Sequence, residues 1–176
     1  MIEYDEQLSK ETERGYLMPE IVNQRSRTME ALQLRAGEHV LDVGCGMGLL
    51  ARDLALAVGE NGRILGIDNS PSMIRLAKKR CVDFPQIELK EASVTQLSEP
   101  DNSFDVITCA QLLLYLPNVV QAIAEMHRVL KKGGRIAIVE TDWRGVVFNT
   151  MDEALTRSLF EAWEASVPSP HLPGQL

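Results

Sequence analysis

The chain is expected to fold as an α/β protein built on a doubly wound, mainly parallel sheet. From position 39 onward, short apolar runs alternate with amphipathic stretches of about ten residues, the spacing of strand, crossover helix and parallel strand. The first run, Val40-Leu41-Asp42-Val43, passes directly into Gly44-Cys45-Gly46-Met47-Gly48, three alternating glycines between a strand and a helix. A second acid, Asp68, follows Gly48 by twenty residues and closes the next apolar run.

Taken in order, the elements begin with a polar arm and a helix over 19–34. A strand over 39–43 ends in the glycine turn, and the amphipathic segment 49–58 continues as the first crossover helix. The next strand, 63–67, is closed by Asp68. A helix over 71–80 follows, with Met73, Ile74 and Ala77 at helical spacing. Its last turns carry Arg75, Lys78, Lys79 and Arg80, where cations complement the helix dipole. Strands over 86–90 and 104–109 come next, then a helix over 117–131 that ends on Arg128, Lys131 and Lys132, a strand over 135–140 and a helix over 152–166. No internal repeat or low-complexity tract interrupts this pattern.

Composition narrows the function classes. With 176 residues the chain can bury about 70% of its unfolded surface as one domain. A hydrophobic share of 45% with 24% charged residues is that of an ordinary globular protein. The net charge of -7 argues against a nucleic-acid partner, which would need clustered Lys and Arg. No run reaches the ~20 apolar residues of a membrane span, and the start, Met1-Ile2-Glu3-Tyr4-Asp5-Glu6, is too acidic for a signal peptide. A cytoplasmic protein without membrane attachment is expected. Three cysteines, at 45, 81 and 109, are odd in number and lack metal-ligand spacing, so neither a disulfide framework nor a metal site is expected.

The chemistry starts at the turn. Glycines at 44, 46 and 48 open backbone dihedrals closed to other residues and are expected to bring N–H groups close to a ligand, with the positive end of the next helix aimed at the same place. Asp68, at the end of the neighbouring strand, is placed to accept both hydroxyls of a ribose. The ligand is therefore a nucleoside. Dinucleotide sites prefer G-x-G-x-x-G with an apolar residue where Asp42 stands, because a carboxylate would repel a pyrophosphate. A carboxylate suits a cationic ligand instead, and S-adenosylmethionine (SAM) carries a sulfonium and an ammonium but no phosphate.

These residues, with Gly66-Ile67-Asp68-Asn69-Ser70-Pro71-Ser72-Met73, Asn102-Ser103-Phe104-Asp105-Val106 and Glu125-Met126-His127-Arg128-Val129-Leu130-Lys131-Lys132-Gly133-Gly134-Arg135, resemble the class I SAM-dependent methyltransferases. The resemblance covers roughly residues 35–145 and lies with the branch of ubiquinone and menaquinone C-methyltransferases and related small-molecule enzymes. It implies a Rossmann-like methyltransferase sheet, with residues 1–34 an amino-terminal arm and helix that lids the pocket and 35–176 the SAM-binding domain. Members of this class add two further strands after the fifth helix, so the chain is expected to lack the last two strands and to be truncated at its carboxyl end. The strand-five edge, Ile136-Ala137-Ile138-Val139, is then expected to invite self-association.

The resemblance also implies site roles. Asp42, Gly44, Cys45, Gly46 and Gly48 would hold the methionine part of the cofactor, Asp68 the ribose, and Asn69 and Met73 would follow toward the adenine. Met73 equally fits a core position on its helix. After strand three the family places an Asp that accepts the adenine amino group; here Ser93 stands there, a neutral acceptor, followed by Val94, whose N–H could meet the ring. Gln111, just past strand four, would come beside the methionine or face solvent. Tyr16 and Arg25 would lid the pocket or lie on the surface.

Glu140, Asp142 and Trp143, at the end of strand five, are candidates to line an acceptor pocket. His39, His127 and His171 all fall away from the strands' carboxyl ends, so a histidine base is not expected. Arsenite methyltransferases in this branch use cysteine thiols, but Cys45 and Cys109 read better as packing or cofactor-lining residues. The expected function is transfer of a methyl group from SAM to a small-molecule acceptor at carbon or oxygen. Two alternatives are a SAM-binding protein without transfer activity and a nicotinamide-dependent oxidoreductase.

Overall fold

The computed structural model describes residues 6–142 and 152–170. Its elements are α1 (Glu6–Tyr16), α2 (Pro19–Leu32), β1 (His39–Val43), α3 (Leu49–Val58), β2 (Arg63–Asp68), α4 (Pro71–Arg80), β3 (Ile87–Glu91), β4 (Phe104–Ala110), α5 (Val119–Val129), β5 (Leu130–Val139) and α6 (Glu153–Glu164). Among the described residues, the five strands form one sheet in the order β3-β2-β1-β4-β5, all parallel. The chain winds outward from β1 to β3, then returns to place β4 on the other side of β1. That reversal leaves a crevice at the carboxyl ends of β1 and β4, where ligands of such sheets bind.

The period-two alternation of the central strands sorts their side chains onto two cores. On one face Val40, Ile64 and Val106 pack with Leu32 of α2 and Ala51, Leu54, Ala55 and Val58 of α3. On the other, Leu41, Val43, Ile67, Ile107 and Cys109 pack with Ala122, Met126 and Val129 of α5. A third cluster joins Ile74, Ala77 and Cys81 at α4 to Cys45 and Leu89. The continuous apolar character of β1, β2 and β4 follows from this burial on both faces.

Two elements depart from the sequence expectation. The leading arm contains α1, whose polar sequence shows no apolar stripe long enough to announce a helix. The Glu13 carboxylate accepts a bond from Arg80, which ties α1 to the end of α4. At the other end of the domain, α5 stops at Val129 and β5 begins at Leu130, five residues before the expected start. Leu130 pairs with Phe104, and a register shift between Phe104 and Val106 absorbs Lys131 to Gly134 before regular pairing resumes at Arg135. Gly133 takes φ +77° there, a conformation that glycine adopts without strain.

The block around Arg128 is a structural brace. Its guanidinium donates to the Leu97 and Glu99 carbonyls and to the Asp101 and Glu125 carboxylates, while Glu125 also accepts from the Leu97 N–H. These bonds fix the 97–101 loop, so the basic residues here serve a turn rather than a ligand. No helix among the described residues is long and apolar enough to cross a membrane.

Candidate active site

The site begins with how β1 ends. Its register sets Asp42 against Gly66 of β2 on one side and Thr108 of β4 on the other. Thr108 donates its hydroxyl to Asp42 Oδ1 at 2.8 Å, while Asp42 Oδ2 is buried with no partner among the described residues. Burial pushes the Asp42 carboxyl up to about 7, the Thr108 bond opposes that rise, and the Asp68 charge adds to it.

Beyond Val43 the three glycines take φ +72°, +52° and +80°. The Gly44 and Cys45 N–H groups both donate to the Ile67 carbonyl at 2.9 Å, Gly46 N–H donates to Asp68 Oδ2 at 2.9 Å, and Gly48 N–H to the Cys45 carbonyl at 2.9 Å. The expectation that the turn presents its N–H groups to a ligand therefore needs correction: these four are spent inside the protein. What the glycines contribute is backbone shape and open space. A side chain at Gly46 would meet nothing within 4 Å, whereas one at Gly44 would come 3.1 Å from Leu112.

Two cavities meet at Gly44. The larger, about 700 Å³ of open cleft, is walled by Asp42, Cys45, Gly46, Met47, Ala110, Gln111 and Val139 from the sheet ends. Tyr16, Ile21, Gln24, Arg25 and Thr28 of α1 and α2 roof it, and Leu49 and Leu50 of α3 complete it. The smaller, about 300 Å³, is lined by Val43, Ile67, Asp68, Asn69, Ala92, Ser93, Val94, Leu112 and Leu116. Gly48 and Met73 lie in neither. Gly48 packs where a side chain would meet Cys81 Sγ at 3.0 Å and Ala77 Cβ at 3.1 Å, and Met73 is buried on α4. Gly48→Ala should therefore lower the melting temperature by a stability loss of about 1–2 kcal/mol, from strain at positive φ and crowding. In calorimetry on the folded variant, ligand affinity should stay within about twofold of wild type.

Gln111 takes φ +55° and donates its N–H to the Val139 carbonyl at 2.7 Å. Its Oε1 accepts from the Thr141 hydroxyl at 2.9 Å, and its Nε2 is buried without a partner among the described residues. Two residues that line the cavity thus each carry a buried polar atom without a partner among the described residues, the acceptor Asp42 Oδ2 and the donor Gln111 Nε2.

Asp68 is half-buried; its Oδ2 serves Gly46, and its Oδ1 accepts from Ser70 N–H at 2.9 Å. Burial raises its carboxyl, while the Ser70, Gly46 and Asn69 N–H groups lower it. Ser93 and Asn69 are exposed at the rim of the smaller cavity, and Val94 is buried in its wall. The Ser93 hydroxyl sits 2.8 Å from that of Thr95.

Arg25 ties α2 to α3 and to the end of α1. It donates to Asp53 Oδ2 at 2.7 Å and to the Tyr16 carbonyl at 3.5 Å, so its charge is already paired. Glu140 lines neither of these two cavities. Its Oε1 accepts from the Leu112 and Leu113 N–H groups at 2.7 and 2.6 Å, which clamps the loop after β4. Asp142 lies in neither cavity, and Trp143 and His171 fall outside the described residues. His39 and His127 also lie in neither cavity. Burial raises the Cys45 and Cys109 thiols, which keeps both as neutral packing groups. Thr108 was not singled out from sequence. It could have been found as the polar residue of β4 in register with the one acid of β1.

A crevice at the switch point, a glycine turn after β1 and an acid closing β2 place the chain in the Rossmann-like class of α/β proteins. A family profile described as "Methyltransferase domain" matches residues 34–169, and the chain belongs to this family, the class I SAM-dependent methyltransferases. It is 38% identical over 117 residues to a demethylmenaquinone methyltransferase of Lysinibacillus sphaericus, covering 66% of this chain and 50% of the relative. It is also 35% identical over 134 residues to an uncharacterized 37.1 kDa protein in transposon TN4556 of Streptomyces fradiae, covering 76% of this chain and 39% of that protein. The chain thus spans half or less of the length of these relatives.

Among solved structures, a SAM-dependent methyltransferase from Aquifex aeolicus shares the fold at a TM-score of 0.70 and 23% identity, covering 85% of this chain and 79% of that one. The [4+2]-cyclase SpnF matches at a TM-score of 0.62 and 29% identity over 66% of this chain and 43% of that one.

Proposed function

We propose that the chain binds SAM across the two cavities and moves its methyl group to a small apolar or aromatic acceptor, at a quinone-like ring carbon or a hydroxyl. The observation that carries this reading is the orphaned pair in the wall of the larger cavity, Asp42 Oδ2 and Gln111 Nε2. A buried acceptor and a buried donor without partners are costly unless a ligand meets them. The ammonium and carboxylate of an amino acid are their complement. The smaller cavity, on the other side of Gly44, offers Asp68 to a ribose and Ser93 and Val94 to a base. SAM joins an amino acid to a nucleoside, so one molecule answers both halves.

When bound, SAM supplies an electrophilic methyl group and needs little further activation. The work left to the chain is alignment and exclusion of water. Tyr16, Ile21, Gln24 and Thr28 roof the larger cavity and are the side chains best placed to hold an acceptor over it. The Lysinibacillus relative is named for a quinone precursor, which supports a quinone-like ring. A cytoplasmic setting is part of this proposal.

Titration calorimetry with SAM, S-adenosylhomocysteine and NAD, followed by turnover assays over an acceptor panel, tests the reading. SAM and S-adenosylhomocysteine should bind and NAD should not; tight NAD binding with no response to SAM would overturn it. The neighbour named as a cyclase gives a reason to measure binding and turnover separately. Binding without methyl transfer over a broad panel would favour a SAM-binding role alone. Ser93→Asp, which restores the charged acceptor of the wider family, should tighten SAM binding by about fivefold. Weaker binding in that variant would remove Ser93 from the adenine site.

A further inference from the structure

We propose that Glu140 is a positioning residue for the nucleoside site. By holding the turn after β4 it keeps Leu112 on Gly44, and so fixes one wall of the smaller cavity, which it does not itself line. The inference rests on the SAM reading above and goes beyond it to what keeps that cavity in shape. Leu112 and Leu116 are what the turn after β4 contributes to the smaller cavity. The Leu112 side chain lies where a Cβ on Gly44 would meet it at 3.1 to 3.2 Å, so it packs directly on the bare glycine.

The turn has little of its own to hold it there. It begins at Gln111, whose φ of +55° a non-glycine residue keeps only when its surroundings impose it. It continues as a single 3₁₀ turn, Leu113–Tyr115, in which the Tyr115 and Leu116 N–H groups donate to the Leu112 and Leu113 carbonyls. So short a helix leaves its first N–H groups without partners of its own, and the residue before it, Leu112, has no side chain that can cap them. Glu140 supplies the acceptor from the end of β5. Its Oε1 takes both the Leu112 and Leu113 N–H groups at 2.7 and 2.6 Å, as short as charge-assisted bonds are. Its Oε2 is buried without a partner among the described residues, so the bonding of this carboxylate is directed at the turn. The far end is tied separately: Ser169, beyond α6, donates its N–H to the Leu114 carbonyl at 3.0 Å and its hydroxyl to the Leu116 carbonyl at 2.9 Å. Without Glu140 two enclosed N–H groups would have to turn toward water, and Leu112 would leave Gly44 with them.

Two measurements separate this from a merely structural role. In hydrogen exchange on the wild-type protein the Leu112 and Leu113 amides should be protected; free exchange of both would overturn the proposal without any variant having to fold. The second is a double-mutant cycle read by calorimetry with S-adenosylhomocysteine and with 5′-methylthioadenosine, which keeps the adenosine and the sulfur but lacks the amino-acid end. Folded Glu140→Ala should bind each ligand about tenfold more weakly than wild type, while Glu140→Gln, which keeps an accepting oxygen, should stay within about threefold. Leu112→Ala should cost a similar factor, and adding Glu140→Ala to it should cost no more than about twofold further, because the two act through one contact. Additive losses in the double variant, a loss confined to S-adenosylhomocysteine, or full affinity in Glu140→Ala would overturn the proposal. Any of these with wild type binding S-adenosylhomocysteine removes the positioning role and leaves the SAM reading standing; if wild type binds neither ligand, both fail.

Discussion

Replacing Asp68 with alanine is expected to lower SAM affinity by about 2 kcal/mol, roughly thirtyfold, because charge-assisted bonds to the ribose are lost. The structure adds a second route to the same loss. Asp68 Oδ2 holds the Gly46 N–H and Oδ1 holds the Ser70 N–H, each at 2.9 Å. Each carboxylate oxygen can accept a further bond, so the residue can fasten the glycine turn and receive a ribose at once. Alanine removes both functions, and asparagine keeps only one accepting oxygen, so Asp68→Asn should fall between wild type and Asp68→Ala. Calorimetric titration of SAM into the three proteins gives the series. Unchanged affinity in Asp68→Ala would refute the ribose role.

SAM affinity should also rise with pH, by up to about tenfold per unit below pH 7, and level off above it. The reason is Asp42, whose fully buried carboxyl is pushed up to about 7. Below that value the free protein holds this group neutral, while a ligand ammonium is best met by the carboxylate, so binding must expel a proton. Above it the carboxylate is already present and the slope vanishes. The free protein should respond in the opposite sense. An acid whose folded pKa lies above its unfolded value favours the folded state while protonated, so this contribution is full below about pH 4 and is lost as pH rises to about 7. Affinity measured from pH 5.5 to 8 in wild type and Asp42→Asn checks the pair of effects. The slope should flatten in the variant, and a flat wild-type profile would remove Asp42 from contact with the ligand's cation.

The parts of this protein that sequence made legible are those where local pattern and tertiary burial agree. β1, the glycine turn and Asp68 could be placed because an apolar run, a change of period and a fixed spacing coincide within thirty residues of one another. α1 could not, since its polar residues fold onto the domain through Glu13 and Arg80, sixty-seven residues apart. The start of β5 was misread for a different reason. Lys131-Lys132-Gly133-Gly134 has the composition of a turn, yet the sheet admits it through a register shift.

At the site, the residue types were readable and their partners were not. Asp42 announced a cation, but its dependence on Thr108 is a property of strand register. Gln111 was a candidate amide, but its side-chain partner, Thr141, lies thirty positions away. Glu140 shows the limit most plainly. Its place at the end of β5 suggested contact with an acceptor; what the structure shows is its Oε1 holding the Leu112 and Leu113 N–H groups.

Gly44, with Leu112 packed against its bare backbone, is the one residue that lines both rooms of the crevice. The rooms are furnished from different stretches of the chain. Tyr16, Ile21, Gln24 and Thr28 roof one, whereas Asp68, Asn69, Ser93 and Val94 line the other. On the function proposed above, nucleoside recognition and choice of acceptor are written in separate passages of the gene, and a change in the roof would re-address the chemistry while the nucleoside grip is inherited intact.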